Sequence, residues 1–243
     1  TEFPELAPAL VKCGAHKALA AAIAQAQDDD RIVSYACLAL GRIAADYRGG
    51  RIADARAITA VAGAIKRSNS AKGDVMYTAC YAMATLLNDA HPDMYKIAVS
   101  QGILDIAVGA LRDPTASLSS YLYPCCIVKS CAHASLATSD ATSPPDYIGR
   151  IVKLGCMPAM VSILRRTLSA GVDSNSTVWE NPEAWRAQVN VLDIVGLVTR
   201  CKRHPEAAEM FVKADGLNLI RTVLITAAAY EAQCASRPKD SKP

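Results

Sequence analysis

The side chains able to do chemistry are few, and their spacing does not favour it. His16, His91, His133 and His204 are the four histidines. None falls in a His-Glu-x-x-His pattern, which would set two imidazoles on one helix face around zinc. His91 and His204 each precede a Pro-acid pair, the place of a neighbour to a helix cap. The nine cysteines are odd in number, and Cys37, Cys80, Cys131 and Cys201 lie inside apolar stretches. No Cys-x-x-Cys pair has zinc spacing, so these thiols, with the vicinal pair Cys125-Cys126, read as small reduced core residues. Asp28-Asp29-Asp30 lacks the further ligands of a calcium loop and reads as a turn that caps a helix starting near Arg31. Gly49-Gly50 lacks the Lys-Ser/Thr of a phosphate-binding loop, and no serine sits in Gly-x-Ser-x-Gly. With no nucleophile–base pair and no cofactor fingerprint, the expectation is a protein that is not an enzyme: no catalytic residues, no cofactor, no metal.

What positions these residues is helix. Of 243 residues, 51% are hydrophobic but only 5% aromatic, and 44 are alanine. Alanine has the best helix propensity and lets helices approach closely, whereas a sandwich or barrel would want Val, Ile, Thr and aromatics. The net charge of +3 is small and scattered, which argues against a nucleic-acid partner. The longest apolar run, residues 18–24, is about a third of the roughly 18–20 residues needed to span a bilayer, so no transmembrane segment is expected. Reduced thiols imply an intracellular reducing compartment, cytoplasmic by default. Because the chain begins at Thr1 without a Met, a fragment, a processed form, or an organelle protein freed of its transit peptide stays open.

A repeat runs through the chain. A glycine followed by a short amphipathic helix recurs from Gly14, Gly102, Gly155 and Gly216, with a fifth copy from Arg56 where the others have glycine. Pro4-Glu5, Pro92-Asp93, Pro145-Asp146 and Pro205-Glu206 precede the four glycines by 10, 10, 10 and 11 residues. Proline at the first helical position loses no hydrogen bond, and an acid beside it suits the positive end of the helix dipole. Each glycine then ends a short helix by adopting the left-handed conformation cheaply. A longer third helix follows, with apolar residues at i, i+3, i+4 and i+7, near 32–45, 75–87, 120–137 and 184–201. Pro124 should displace or kink the first turn of its helix. Polar stretches at 138–143 and 169–182 read as inserted surface loops.

This unit of short helix, glycine, second helix and long third helix resembles the armadillo repeat, best at residues 91–111 and 204–224. The resemblance implies an all-α, right-handed α-solenoid of about four to five three-helix repeats. They would form one domain over residues 1–230, with units at 1–46, 47–90, 91–138, 144–202 and a partial 203–230, and a polar tail at 231–243. It also implies that third helices line a concave groove that binds polypeptide. By register the groove positions are Arg31, Tyr35, Leu38 and Arg42; Asp74, Thr78, Tyr81 and Thr85; Ser119, Tyr123, Cys126 and Ser130; then Arg186, Asn190, Asp193 and Leu197. The Trp and Asn four residues apart that clamp lysine-rich peptides in importin-α-like members do not recur here, which argues against nuclear-import cargo.

Tyrosines on a shared groove make good anchors, since they bring area and a polar tip at low entropy cost. Trp179, inside the 169–182 loop, would be another anchor if buried against a partner. The expected contact therefore comprises Tyr35, Arg42, Tyr81, Thr85, Tyr123, Trp179, Arg186, Asn190 and Asp193. The expected role is a scaffold for protein partners. The mixed stripe, the inserted loops and the short array favour a structural subunit of a larger assembly over an adaptor that holds an extended peptide.

Overall fold

The computed structural model describes residues 6–26, 28–47, 51–68, 74–137, 145–169 and 182–236, with side chains described to residue 229. Every regular element among them is helical, and no strand occurs. The first unit holds α1 (Leu6–Lys12), α2 (Ala15–Gln25) and α3 (Asp30–Tyr47). The second holds only α4 (Ala55–Arg67) and α5 (Asp74–Leu87). The third holds α6 (Pro92–Ser100), α7 (Ile103–Leu111) and α8 (Leu122–Ala137). The fourth holds α9 (Tyr147–Lys153), α10 (Cys156–Ser169) and α11 (Pro182–Thr199), and α12 (Glu206–Lys213) and α13 (Gly216–Ser236) complete the chain. Residues 138–143, most of the 169–182 loop with Trp179, the pair Gly49-Gly50, Pro4, Glu5 and 237–243 lie outside the described residues.

Local chemistry sets the helix ends. Asp29 Oδ1 accepts from the Arg31 and Ile32 amides, which caps α3 as expected. Asp54 and Asp146 cap α4 and α9 in the same way through the Ala57 and Gly149 amides. Pro92 opens α6, preceded by His91, whose ring accepts from the Asp93 amide. Pro124 does displace its helix start: a 3-10 turn, Ser119–Tyr121, leads into α8.

The bends between first and second helices follow the glycines, with one correction. Gly14, Gly102 and Gly155 have φ of 81°, 77° and 78°, and the helices on either side turn by 70°, 71° and 66°. At the fourth position the left-handed residue is Asp215, φ 72°, while Gly216 is already the first residue of α13. Pro205 thus precedes its bend by ten residues like the others. Gly216 is required for another reason: a Cβ there would clash with the Phe211 ring, which is buried in the core.

Two further departures concern the units. Only residues 48–54 join α3 to α4, and Asp54 is already the cap of α4, so among the described residues the second unit has no first helix like α6 or α9. Ile52 is buried in that connection. At the other end α13 runs on to Ser236, past residue 230, where the composition turns polar.

The helices form rows. Third helices pack in sequence, α3 on α5, α5 on α8 and α8 on α11. Second helices do the same, α2 on α4, α4 on α7, α7 on α10 and α10 on α13. First helices pack on the second helix of the preceding unit, α6 on α4, α9 on α7 and α12 on α10. Alanine makes the closest approaches possible, and between α3 and α5 glycine is needed. The Tyr81 ring of α5 lies 2.7 Å from where a Cβ on Gly41 of α3 would stand.

Candidate partner-binding surface

The row of third helices presents its surface through side chains that the core leaves over. On α3, Val33, Cys37, Leu40 and Ala44 are buried, which turns Tyr35 outward at 69% exposure. Arg42, two turns on, is also exposed. On α5 the burial of Val75, Ala79 and Met83 leaves Tyr77, 46% exposed, and half-buried Tyr81 on one edge. Tyr123 of α8 meets both: its ring centre is 4.9 Å from that of Tyr77, edge to face, and 5.0 Å from that of Tyr81. The Tyr77 hydroxyl donates to that of Tyr123 at 3.4 Å. Offset and edge-to-face ring pairs of this kind are favourable beyond their buried area.

Between Tyr35 and Tyr77 lies an open groove of about 820 Å³, floored by Leu38 and Val75 and edged by Arg31, Arg67 and Asp74. Burial pushes the Tyr81 hydroxyl above its ordinary pKa, partly offset by the Arg42 charge. Burial and the Tyr77 hydroxyl push Tyr123 up strongly. Both phenols stay protonated at neutral pH, as hydrogen-bonding groups and not as nucleophiles.

The expected positions divide into two sets. Tyr35, Arg42, Tyr81 and Tyr123 share this surface. Thr85 faces the same side but donates its hydroxyl to the Tyr81 and Ala82 carbonyls of its own helix. Thr78 is buried and works as a tie, donating to the Asp74 carbonyl at 2.8 Å and meeting Ser34 Oγ of α3 at 3.2 Å. On α11, Asp193 pairs with Lys129 of α8 at 2.8 Å, and the Asn190 amide donates to the Arg186 carbonyl at 3.0 Å. Among the described residues, the Arg186 side chain of that trio is exposed and makes no ion pair. Tyr77 is absent from the expected set, although its place four residues before Tyr81 puts the two on one stripe.

One titratable cluster stands apart. His204, just before α12, has Nε2 2.7 Å from Asp146 Oδ1 and Nδ1 2.9 Å from Glu206 Oε1. Its side chain is 13% exposed. Burial alone would lower its pKa, but the Glu206 and Asp146 hydrogen bonds outweigh that and raise it. Burial likewise pulls Asp146 upward, and the Gly149 amide and His204 more than reverse this. The cluster joins the cap of α9 to the start of α12. His91 holds the same register before α6 but is 73% exposed, because the second unit has no first helix to meet it. Among the described residues no group of three or more His, Cys, Asp or Glu is arranged to hold a metal ion, and no single helix is long and apolar enough to cross a membrane.

A second exposed feature is apolar. Val212 of α12 and Leu217, Leu224 and Ile225 of α13 are each at least half exposed. No protein-family model and no curated protein matches the chain.

Proposed function

We propose that this chain is a non-catalytic protein-interaction scaffold, folded as a right-handed, armadillo-like α-solenoid, that holds a polypeptide partner along its third helices. The solenoid reading is supported by the three rows of helices and by left-handed residues ten positions after their prolines. One observation carries the binding role: an open groove flanked by Tyr35 and Tyr77, with Tyr81 and Tyr123 continuing the aromatic surface across α5 and α8. Aromatic anchors beside a groove are where interface energy concentrates. Arg31, on the groove, and Arg42, beside Tyr81, supply charged positions around them.

The test is recovery of partners from native extract by the wild-type chain and by Tyr35→Ala/Tyr77→Ala. Tyr35 is mostly exposed and Tyr77 loses chiefly its ring pair with Tyr123, a term of about 0.5–1.5 kcal/mol, so the double variant should keep its helicity and melt within a few degrees of wild type. A specific partner should be recovered at least about tenfold less well, matching the loss of one hot-spot anchor of 1.4 kcal/mol or more. Unchanged recovery would place the contact elsewhere.

A second reading, a permanent subunit of a larger assembly, is favoured by the exposed Val212, Leu217, Leu224 and Ile225. Large apolar side chains exposed together on two packed helices are candidates for an interaction site. Recovery at fixed stoichiometry that survives Tyr35→Ala/Tyr77→Ala and fails in Leu217→Glu/Leu224→Glu would favour it.

A further inference from the structure

First helices in this fold cover second helices. α6 lies on α4, α9 on α7 and α12 on α10, so each of these second helices has a short helix across its outer side. α2 has none. Only seven residues, 48–54, separate α3 from α4, too few for a helix like α6 with its turns, and among the described residues no helix takes the place on α2 that register would give it. At that place an open groove of about 980 Å³ runs between α2 and α4. Its floor comes from Ala20, Ala21 and Ala24 of α2 and Ala60 and Gly63 of α4.

The length of the groove matches what is missing. From Lys17 to Ala24 and from Arg56 to Arg67 the walls run roughly 10–16 Å at 1.5 Å per residue. The chain's own first helices have seven to nine residues. The rim carries Lys17, Arg56 and Arg67, all exposed, and none forms a salt bridge among the described residues. The one rim carboxylate, Asp54, is engaged by the Ala57 amide at 2.8 Å. An apolar floor under an unbalanced cationic rim suits a helix with one apolar face and acidic flanks.

We infer that the α2–α4 groove is a docking site for a short acidic amphipathic helix of a partner protein, which completes the second unit in trans. A second copy of this chain is a poor source. Its own first helices are held in place by buried side chains, Tyr95 and Val99 in α6, Ile148 and Ile151 in α9, Ala207 and Phe211 in α12. The site lies on the second-helix row and shares only Arg67 with the Tyr35–Tyr77 groove, so the variants Gly63→Leu and Lys17→Glu/Arg56→Glu test it separately from the function proposed above.

The probe is a synthetic, end-blocked peptide with the sequence of residues 205–214, which carries Glu206, Glu209, Met210 and Phe211 and packs as a first helix within this fold. It is titrated into the full chain while backbone amide resonances are followed. Saturable shifts should be confined to α2, α4 and the groove's other lining residues, Asp54 and Gln101. A peptide with both glutamates changed to glutamine should bind at least about fivefold more weakly. Gly63→Leu should fill the groove and abolish the shifts. It should not lower the melting temperature, because a Cβ on Gly63 meets only the flexible end of Arg67, at 3.1 Å, and leucine favours helix over glycine. Gly109→Leu on α7, where a Cβ meets nothing within 4 Å, should leave binding unchanged. Lys17→Glu/Arg56→Glu should weaken the glutamate peptide and spare the glutamine one. The inference is overturned by an absence of saturable shifts at millimolar peptide, by equal binding of the two peptides, by binding that survives Gly63→Leu, or by concentration-dependent self-association mapping to the same amides.

Discussion

At the scale of single residues, burial decides what the reactive groups can do. Burial pushes the thiols of Cys37, Cys80, Cys131 and Cys156 up to about 12 from 9.0, with Cys80 adding to the effect on Cys37. Because the thiolate is the reacting species, a pKa of 12 instead of 9 leaves about a thousandfold less of it at pH 8. Alkylation of the folded chain at pH 8 should therefore label Cys13, which is exposed, in the first phase and leave those four slow. Mass-spectrometric mapping of the label over time checks this, and prompt labelling of Cys37 or Cys80 would mean that α3 and α5 part readily. The placement of these thiols was legible in the sequence because they sit on apolar helix faces. Tyr77 was not. Register transferred from the other repeats put Thr78 on the exposed stripe, but its hydroxyl finds the Asp74 carbonyl and Ser34. Gly41 meanwhile admits the Tyr81 ring against α3. Those two contacts fix the rotation of α5 about its axis and bring Tyr77 and Tyr81 out together, and neither is a property of α5 alone.

At the scale of elements, the proline-to-bend spacing predicts where short helices stop, and it holds because it is local: a cap, a dipole and one left-handed residue. It misassigns Gly216, since a lone glycine in a sequence does not reveal whether it is there for its backbone angle or for a neighbour's ring. The two cases separate experimentally. Gly216→Ala puts a methyl into the Phe211 ring and should cost about 1–3 kcal/mol, as overpacking does. That lowers the melting temperature by about 2–4 °C for each kcal/mol in a chain of this size. Gly109→Ala, in the last turn of α7 with open space around it, should stabilise by up to about 0.5–1 kcal/mol through helix propensity. Thermal unfolding followed by circular dichroism reads both signs. The missing first helix of the second unit was half legible, in the Arg56 that replaces glycine and in the absence of a Pro-acid pair before it. The groove it leaves on α2 was not, because that depends on which helix a first helix covers in the neighbouring unit.

At the scale of the molecule, polar ties join neighbouring units beside their apolar contacts, and the tie most sensitive to pH is His204. It connects α12 to the cap of α9, a pairing 58 residues apart. Only the shared register of His-Pro-Glu at 204–206 and Pro-Asp at 145–146 hints at it. The folded pKa of His204 is raised, so its contribution to stability is fully present below its unfolded value, near 6.5, and is lost as pH rises through the folded value. Asp146 and Glu206 are lowered, so theirs is present above their unfolded values, about 4, and is lost as pH falls through the folded ones. The clasp should therefore be strongest between about pH 4.5 and 6.5. Because α12 and α13 pack mainly on α10 and on each other, loosening at this end need not travel to α3 and α5. Amide hydrogen exchange, corrected for its intrinsic base catalysis, should thus quicken in α12 and α13 between pH 6 and pH 8.5 and stay constant in α3 and α5. His204→Gln, which cannot charge, should remove that pH dependence while leaving α12 and α13 less protected than wild type at pH 6. Equal protection in the variant and wild type at pH 6 would show that the clasp carries no stability. A change shared by α3 and α5 would show instead that the rows open as one body.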